Sequence, residues 1–151
     1  RDLTMNLFNK FIYLSALALI CTFFTPPAWA KDCTQKRNTP QAPNNIYKQS
    51  NPLEATVENI SIGKKLYQKE AKPLACYQCH GTTGNGEGMM ARGMTPRPRD
   101  FSCQTMMKAL PDGQLFWVIK NGSAGTGMMG FKTLNDKQIW QMVSYIRQFA
   151  K

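Results

Sequence analysis

The stretch that decides the fold is ACYQCHGTTGNGEG, residues 75–88. It contains two cysteines separated by two residues, Cys76 and Cys79, and His80 follows the second cysteine directly. His80 is the only histidine of the 151-residue chain. Three kinds of site use these residue types: a redox-active dithiol, a zinc site and the attachment point of a covalently bound haem. The remainder of the sequence discriminates among them.

The dithiol and zinc interpretations are both disfavoured. A thioredoxin-like dithiol belongs to an alternating strand–helix pattern, and no such pattern surrounds Cys76. Zinc requires four ligands in tetrahedral geometry, so a zinc site would have to recruit the distant Cys33 and Cys103. In addition, Cys79 and His80 are adjacent residues, which cannot easily both face one ion.

The CxxCH pattern of Cys76, Cys79 and His80 is the attachment signal of c-type haem. Each cysteine forms a thioether with a vinyl group of the porphyrin, and the histidine lies beneath the iron as proximal ligand. Attachment consumes both thiols, which explains why they need not form a disulfide in an oxidising compartment. We therefore predict one covalently attached haem c, with its iron bound by His80.

The start of the chain predicts export. From Met5, a positive segment with Lys10 is followed by the apolar run Phe11–Phe24 and by the sequence AWA. This order is typical of a secretory signal peptide, and we place its cleavage after Ala30. The alternative is an uncleaved membrane anchor, but an apolar run of 14 residues is shorter than the roughly 20 that span a bilayer. We expect a periplasmic protein without a stable membrane span after cleavage.

The sequence after the signal peptide divides into a leader and one domain. Residues 31–55 carry Pro, Asn and Gln with little periodicity, which predicts an irregular leader. Residues 56–151 are expected to form the domain, in which helical periodicity indicates three main helices. The first begins near Thr56 or Val57 and ends before Pro73, the second covers DGQLFWVIKNG (112–122), and the third covers LNDKQIWQMVSYIRQFAK (134–151).

The absence of any strand pattern predicts an all-α fold of three to five helices joined by long loops. A domain of this size with such loops has too few helix-to-helix contacts to bury a core by itself. A haem enclosed by the helices would provide the missing apolar interior.

The sixth ligand of the iron cannot be a second histidine, which leaves methionine or an open position. The segment GTGMMGF, residues 125–131, places a methionine pair in a glycine-rich loop between two helices. We predict Met128 as the ligand, with Met129 as the alternative. His/Met ligation raises the reduction potential and fills both axial positions, so it favours electron transfer over substrate binding.

Taken together, the chain resembles class I cytochrome c, the small mono-haem electron carriers of the bacterial periplasm. The resemblance covers roughly residues 59–150 and rests on IGKKLYQ, CYQCHG, PRPRDF, DGQLFWVIKNG, GTGMMGF and the last helix. It implies a cytochrome c-like fold in which the first and last helices cross at Gly63, Tyr67 and Tyr145.

The resemblance also implies which groups surround the iron. The ligand loop of the family usually reads Gly-Thr-any-Met-Pro, which sets Met128 as the ligand and places Met129 where proline is expected. The family uses a proline carbonyl to hold the second ring nitrogen of the proximal histidine. Pro96 and Pro98 are both available for this role toward His80.

Two further cysteines, Cys33 and Cys103, lie outside the haem motif. A disulfide between them would pin the leader to the loop that precedes residue 112. The alternative is a pair of unpaired buried thiols.

The formal net charge of +10, of which residues 1–30 contribute only +1, bears on the partners. Because an exported protein does not meet the genome, we exclude nucleic acid. A positive surface suits an acidic redox partner, such as a dehydrogenase, reductase or oxidase.

We therefore predict a non-enzymatic carrier of single electrons in a respiratory chain. The alternatives are an electron-transfer subunit of a larger redox complex and an open-site haem protein that binds small ligands. Lysines expected around the exposed haem edge are Lys64, Lys65, Lys69, Lys120 and Lys132.

Overall fold

A computed structural model of the protein describes Cys33, Gln35 and residues 38–150. These residues belong to one structural unit, which begins at Cys33. The predicted signal peptide and its cleavage site lie outside the described residues, as does Lys151. Within the described part of the chain, no helix is both long enough and apolar enough to cross a bilayer.

The described residues form helices and no strand, which confirms the all-α prediction. Three of the six α-helices have nine to eleven residues and correspond to the three that periodicity predicted. A π-helical turn, Leu66–Glu70, continues the first of these, and 3-10 turns occur at Met89–Ala91 and Arg147–Ala150. The α-helices are α1 (Asn44–Tyr47), α2 (Val57–Lys65), α3 (Tyr77–His80), α4 (Gln104–Lys108), α5 (Asp112–Asn121) and α6 (Asp136–Ile146).

Capping residues determine where the long helices begin and end. The side chain of Thr56 accepts a hydrogen bond from the backbone N–H of Asn59 at 3.2 Å and so caps the start of α2. Asn135 and Gln138 form a reciprocal capping box at the start of α6. Helix α5 stops at Gly122, whose φ of 81° favours glycine. These boundaries agree with the signals in the sequence.

Asp112 is the first residue of α5. Its carboxylate pairs with Arg147, with a distance of 2.6 Å between Nη2 and Oδ1. The same guanidinium donates to the backbone carbonyls of Met107 and Leu110, both at 2.5 Å. Arg147 therefore joins the end of α6 to the start of α5 and to the short helix α4. Helix α4 was not among the three helices predicted from the sequence.

Helices α2 and α6 cross at Gly63, as the resemblance implied. A Cβ atom on Gly63 would lie 2.1 Å from the backbone oxygen of Gln141 in α6, so only glycine allows the two backbones to approach this closely. One turn further along, Tyr67 packs edge-on against Tyr145 with ring centroids 5.4 Å apart. The most deeply buried side chains of the core are Tyr67, Met107, Ile139, Met142, Val143 and Cys103.

The described part of the leader makes more contacts with the domain than its composition suggested. A disulfide joins Cys33 to Cys103, which confirms that prediction. The buried side chain of Gln114 accepts from the backbone N–H of Ala42 at 2.8 Å and donates to the carbonyl of Pro40 at 3.0 Å. Long-range hydrogen bonds of this kind leave no periodic pattern in a sequence, and for this reason composition alone indicated an irregular segment.

Candidate haem-binding site

The three residues of the CxxCH motif lie in and beside the single-turn helix α3. Cys76 precedes the helix, and its carbonyl accepts hydrogen bonds from the backbone N–H groups of Cys79 at 3.2 Å and His80 at 2.9 Å. Residues three apart in a helical turn are neighbours on its surface. As a result, both thiols and the imidazole line the same cavity.

The state of the two thiols argues against a redox dithiol. Cys76 and Cys79 are not joined to each other by a disulfide. Burial raises the pKa of the Cys76 thiol to about 12, and burial also raises the pKa of Cys79. A reactive dithiol needs at least one thiol whose pKa is lowered. Among the described residues, no cluster of three or more His, Cys, Asp or Glu is placed to hold a metal ion.

The imidazole of His80 is held by its Nδ1 atom, which lies 3.0 Å from the carbonyl oxygen of Arg99. A carbonyl oxygen can only accept, so this hydrogen bond requires the proton on Nδ1 and leaves the lone pair of Nε2 available to a metal. The expectation of a proline carbonyl in this role was wrong. The carbonyl of Pro98 faces the leader instead and accepts a hydrogen bond from Gln35.

The surroundings of the ring fix its orientation further. His80 is buried and stacks on the ring of Phe101, with centroids 4.4 Å apart and an interplanar angle of 15°. The hydroxyl of Tyr67 donates to the carbonyl of Gly81 at 2.7 Å, which anchors the turn that follows the histidine. Burial is the main cause that raises the pKa of this phenol, so the hydroxyl remains a donor at physiological pH.

The glycine-rich segment after the motif folds back onto α3. The backbone N–H of Gly86 donates to the carbonyl of His80 at 2.9 Å, and that of Gly88 donates to the carbonyl of Cys79 at 3.0 Å. A Cβ atom on Gly88 would lie 2.3 Å from the carbonyl oxygen of Gln78. The close approach to α3 therefore requires glycine at this position.

Met128 lies in the loop between α5 and α6 and is half-buried. Its carbonyl accepts from the backbone N–H of Ser123 at 2.9 Å, and its own N–H donates to the hydroxyl of Thr126 at 3.1 Å. Met129, its neighbour, is 45% exposed and forms an isolated antiparallel bridge with Gly122. Met128 therefore belongs to a loop whose backbone conformation is stabilised by hydrogen bonds.

Two open cavities, of about 620 and 490 Å³, share Cys79, His80, Gly127 and Met128 as lining residues. The smaller cavity is bounded mainly by apolar side chains and the larger one by several polar side chains. The apolar set includes Leu74, Phe101, Ile119, Phe131, Met142 and Ile146, and the polar set includes Thr39, Arg97, Arg99, Gln114 and Ser123.

These residues fit a haem. A haem has an apolar macrocycle and two carboxylates at one edge. Two largely apolar cavities that share His80 and Met128, one of them with several polar side chains in its wall, suit such a group. Two unpaired thiols border the apolar half, where the vinyl groups would be held. Arg99 and Phe101 were not predicted as site residues. Arg99 acts through its backbone carbonyl and Phe101 through ring stacking on the imidazole, and neither contact has a motif in the sequence.

Comparison with known proteins is consistent with this geometry. The family model described as cytochrome c oxidase, cbb3-type, subunit III, matches residues 58–146. Among solved structures, a chain of a reducing HAO-like protein complex from Kuenenia stuttgartiensis is similar, with 27% sequence identity and a TM-score of 0.56. The similarity covers 66% of this chain and 47% of the other, so this chain spans about half the length of that structure. No curated protein matches the sequence significantly.

A c-type cytochrome domain carries covalently bound haem c and functions in electron transfer, in agreement with the two thiols and the buried histidine described above. Because the family model covers residues 58–146, more than half of the chain, the chain belongs to this family of c-type cytochrome domains.

Proposed function

We propose that this chain is a periplasmic mono-haem c-type cytochrome that carries single electrons between redox partners of a respiratory chain. Cys76 and Cys79 would hold the haem covalently, and His80 and Met128 would bind its iron. The haem supplies one-electron redox chemistry when bound. The observation that carries the proposal is that His80 and Met128 line the same two cavities, beside two unpaired thiols.

The protein contributes ligand orientation and a low-dielectric enclosure. The Arg99 carbonyl keeps the proton of His80 on Nδ1, and the stacked ring of Phe101 limits rotation of the imidazole. The hydrogen bonds of the Met128 backbone stabilise the loop between α5 and α6 that carries its thioether. With His80 and Met128 both bound, the iron would have no open position for a small ligand, as an electron carrier requires.

Replacement of Met128 tests the ligation directly. We expect Met128→Ala to lose the sulfur-to-iron absorption band of the oxidised protein completely, and to bind carbon monoxide when reduced. The reduction potential should fall, because a thioether ligand raises it. Absorption spectra of both oxidation states and a redox titration measure these effects. Met129→Ala is the matched control and should keep the band; loss of the band in the Met129 variant alone would assign the ligand to Met129.

The positive surface favours an acidic partner. Lys64, Lys65, Lys69 and Lys132 are exposed. Lys120 does not belong with them, because its Nζ pairs with Asp136 at 2.6 Å and lies 5.5 Å from the centre of the Phe116 ring.

Lys72 and Lys132 are exposed lysines close in sequence to Leu74 and Phe131, which line the apolar cavity. Lys132 follows the cavity residue Phe131, and the Lys72 carbonyl accepts a hydrogen bond from Thr133 at 3.3 Å. Two positive charges at this position would attract an acidic partner toward the nearest edge of the haem.

The rate of electron transfer to an acidic redox protein should fall as salt increases, because a higher ionic strength screens this attraction. At low salt we expect the Lys72→Ala/Lys132→Ala variant to react about tenfold more slowly than the unaltered protein. Stopped-flow absorption measures both effects. Lys48→Ala serves as the control, since Lys48 lies beside a surface pocket that shares no residue with the two haem cavities. A rate that is independent of salt would contradict steering by charge.

A second candidate function is that of an electron-transfer subunit in a larger redox complex. The similar solved structure comes from such a complex, and the family is described as an oxidase subunit. Gentle purification of the native protein separates the two candidates. A carrier elutes alone at the size of the single chain, whereas a subunit co-elutes with a larger enzyme.

A further inference from the structure

Gln35 lies in the leader, outside the residues 58–146 that the family model matches. Its side chain makes two hydrogen bonds to the backbone on either side of Arg99. The amide nitrogen Nε2 donates to the carbonyl of Pro98 at 3.0 Å. The amide oxygen Oε1 accepts from the backbone N–H of Asp100 at 2.8 Å.

The second of these bonds acts on the peptide unit that orients the imidazole. The carbonyl of Arg99 and the N–H of Asp100 belong to one planar peptide unit, in which they point in opposite directions. Gln35 holds the N–H end of this unit, and the Nδ1 atom of His80 contacts the carbonyl end at 3.0 Å. Rotation of the peptide plane away from the imidazole would break both hydrogen bonds.

The same arrangement strengthens the carbonyl as an acceptor. When the N–H of a peptide unit donates a hydrogen bond, the unit is polarised and its carbonyl oxygen accepts more strongly. The bond between Gln35 and Asp100 is partly buried, so water competes with it less than at the surface.

The disulfide holds Gln35 near this peptide unit. Cys33 lies two residues before Gln35, and its partner Cys103 lies three residues after Asp100. The side chain of Arg99 adds a longer contact to the leader, because its Nη2 lies 3.4 Å from the hydroxyl of Thr39. The leader is thus attached to the segment 98–103 at several points.

We propose that Gln35 is a positioning residue for His80, which aims the carbonyl of Arg99 at Nδ1 and thereby lowers the reduction potential of the bound haem. The proposal rests on the proposed ligation of the iron by His80. A stronger hydrogen bond from Nδ1–H makes the imidazole a better electron donor, which stabilises the oxidised iron. A segment outside the family domain consequently tunes the ligand inside it.

The test compares Gln35→Leu with the unaltered chain, both matured with haem. We expect the midpoint potential to rise, and the Nδ1 proton of His80 to exchange faster with deuterium in the reduced protein. A threefold change in the relative affinity of the two oxidation states for the ligand corresponds to about 28 mV, at 59 mV per tenfold for one electron. The matched control is Gln41→Leu, because Gln41 is an exposed glutamine of the same leader that bonds to Asn44.

An unchanged potential in Gln35→Leu, or a shift equal to that of Gln41→Leu, overturns the proposal. Should Gln35→Leu yield no folded holoprotein, Gln35→Asn is measured in its place. Its side chain is one methylene shorter and cannot reach both backbone groups, so the potential should again rise; an unchanged value overturns the proposal equally. The absorption spectrum of a His80→Ala variant distinguishes the proposed ligation by His80 from the proposed positioning role of Gln35. A wild-type spectrum in that variant refutes ligation by His80, whereas a changed spectrum with an unaltered Gln35→Leu potential refutes only the positioning role.

Discussion

A chain in which Cys76 and Cys79 are both replaced by alanine will carry no covalent haem after expression with haem-attachment machinery. Its mass will equal that of the polypeptide, whereas the unaltered chain will be heavier by one haem. The reason is that these two unpaired thiols line the apolar cavity together with His80. Intact-protein mass spectrometry under denaturing conditions measures the difference, since only a thioether-bound group survives denaturation.

The matched control removes the same number of cysteines elsewhere. Cys33→Ser/Cys103→Ser deletes the disulfide, which lies outside the haem motif. We expect this variant to keep its covalent haem and to lose roughly 2–5 kcal/mol of stability. If the Cys76/Cys79 variant still carries the mass of a covalent haem, these two cysteines are not the attachment points. A colourless unaltered chain with the mass of the polypeptide would refute the proposed cofactor altogether.

The second large effect is expected at the helix crossing. Gly63→Ala should destabilise the haem-loaded protein by about 3 kcal/mol or more, at or above the usual range for overpacking. Alanine is the better helix former by roughly 0.5–1 kcal/mol, but this gain is small beside the clash. The added Cβ would lie 2.1 Å from the Gln141 oxygen, which is a backbone atom that cannot rotate away. Helices α2 and α6 would have to separate, and the contact of Tyr67 with Tyr145 would loosen.

Chemical denaturation of the holoprotein measures this loss. Ser61→Ala is the control, because Ser61 is an exposed residue of the same helix and should change stability by no more than about 0.5 kcal/mol. A Gly63→Ala variant as stable as the Ser61 control would show that the helices do not cross at the distance found in the structure.

The parts of the candidate site come from segments far apart in the chain. His80 belongs to α3, its hydrogen-bond acceptor to residue 99, and the predicted second ligand to residue 128. Gln35 contacts residue 98 across 63 positions of sequence and residue 100 across 65. The hydrogen bonds around the peptide unit that contacts His80 therefore involve a residue of the leader as well as the domain that the family model matches.

Features that depend on residue types at short spacing could be predicted without the fold. Cys76, Cys79 and His80 were predicted to hold a haem because the chemistry of attachment needs those side chains at that separation. Helix α6 was predicted because its apolar residues recur with the helical period and Asn135 or Asp136 could begin it. The structure adds the capping box between Asn135 and Gln138. Gly63 could be singled out because the family resemblance assigns it to the crossing. The ligation by Met128 stays a prediction.

Only the tertiary structure decided the contacts that depend on backbone groups or on distant partners. Every residue has a carbonyl, so no residue type marked that of Arg99 as the acceptor for His80, and the proline expectation failed there. The ion pair of Lys120 with Asp136 and the two hydrogen bonds of Gln35 arise only when the folded chain brings those residues together. The physical reason is that periodicity and motifs report local geometry, whereas these contacts join residues whose separation in sequence carries no periodic signal.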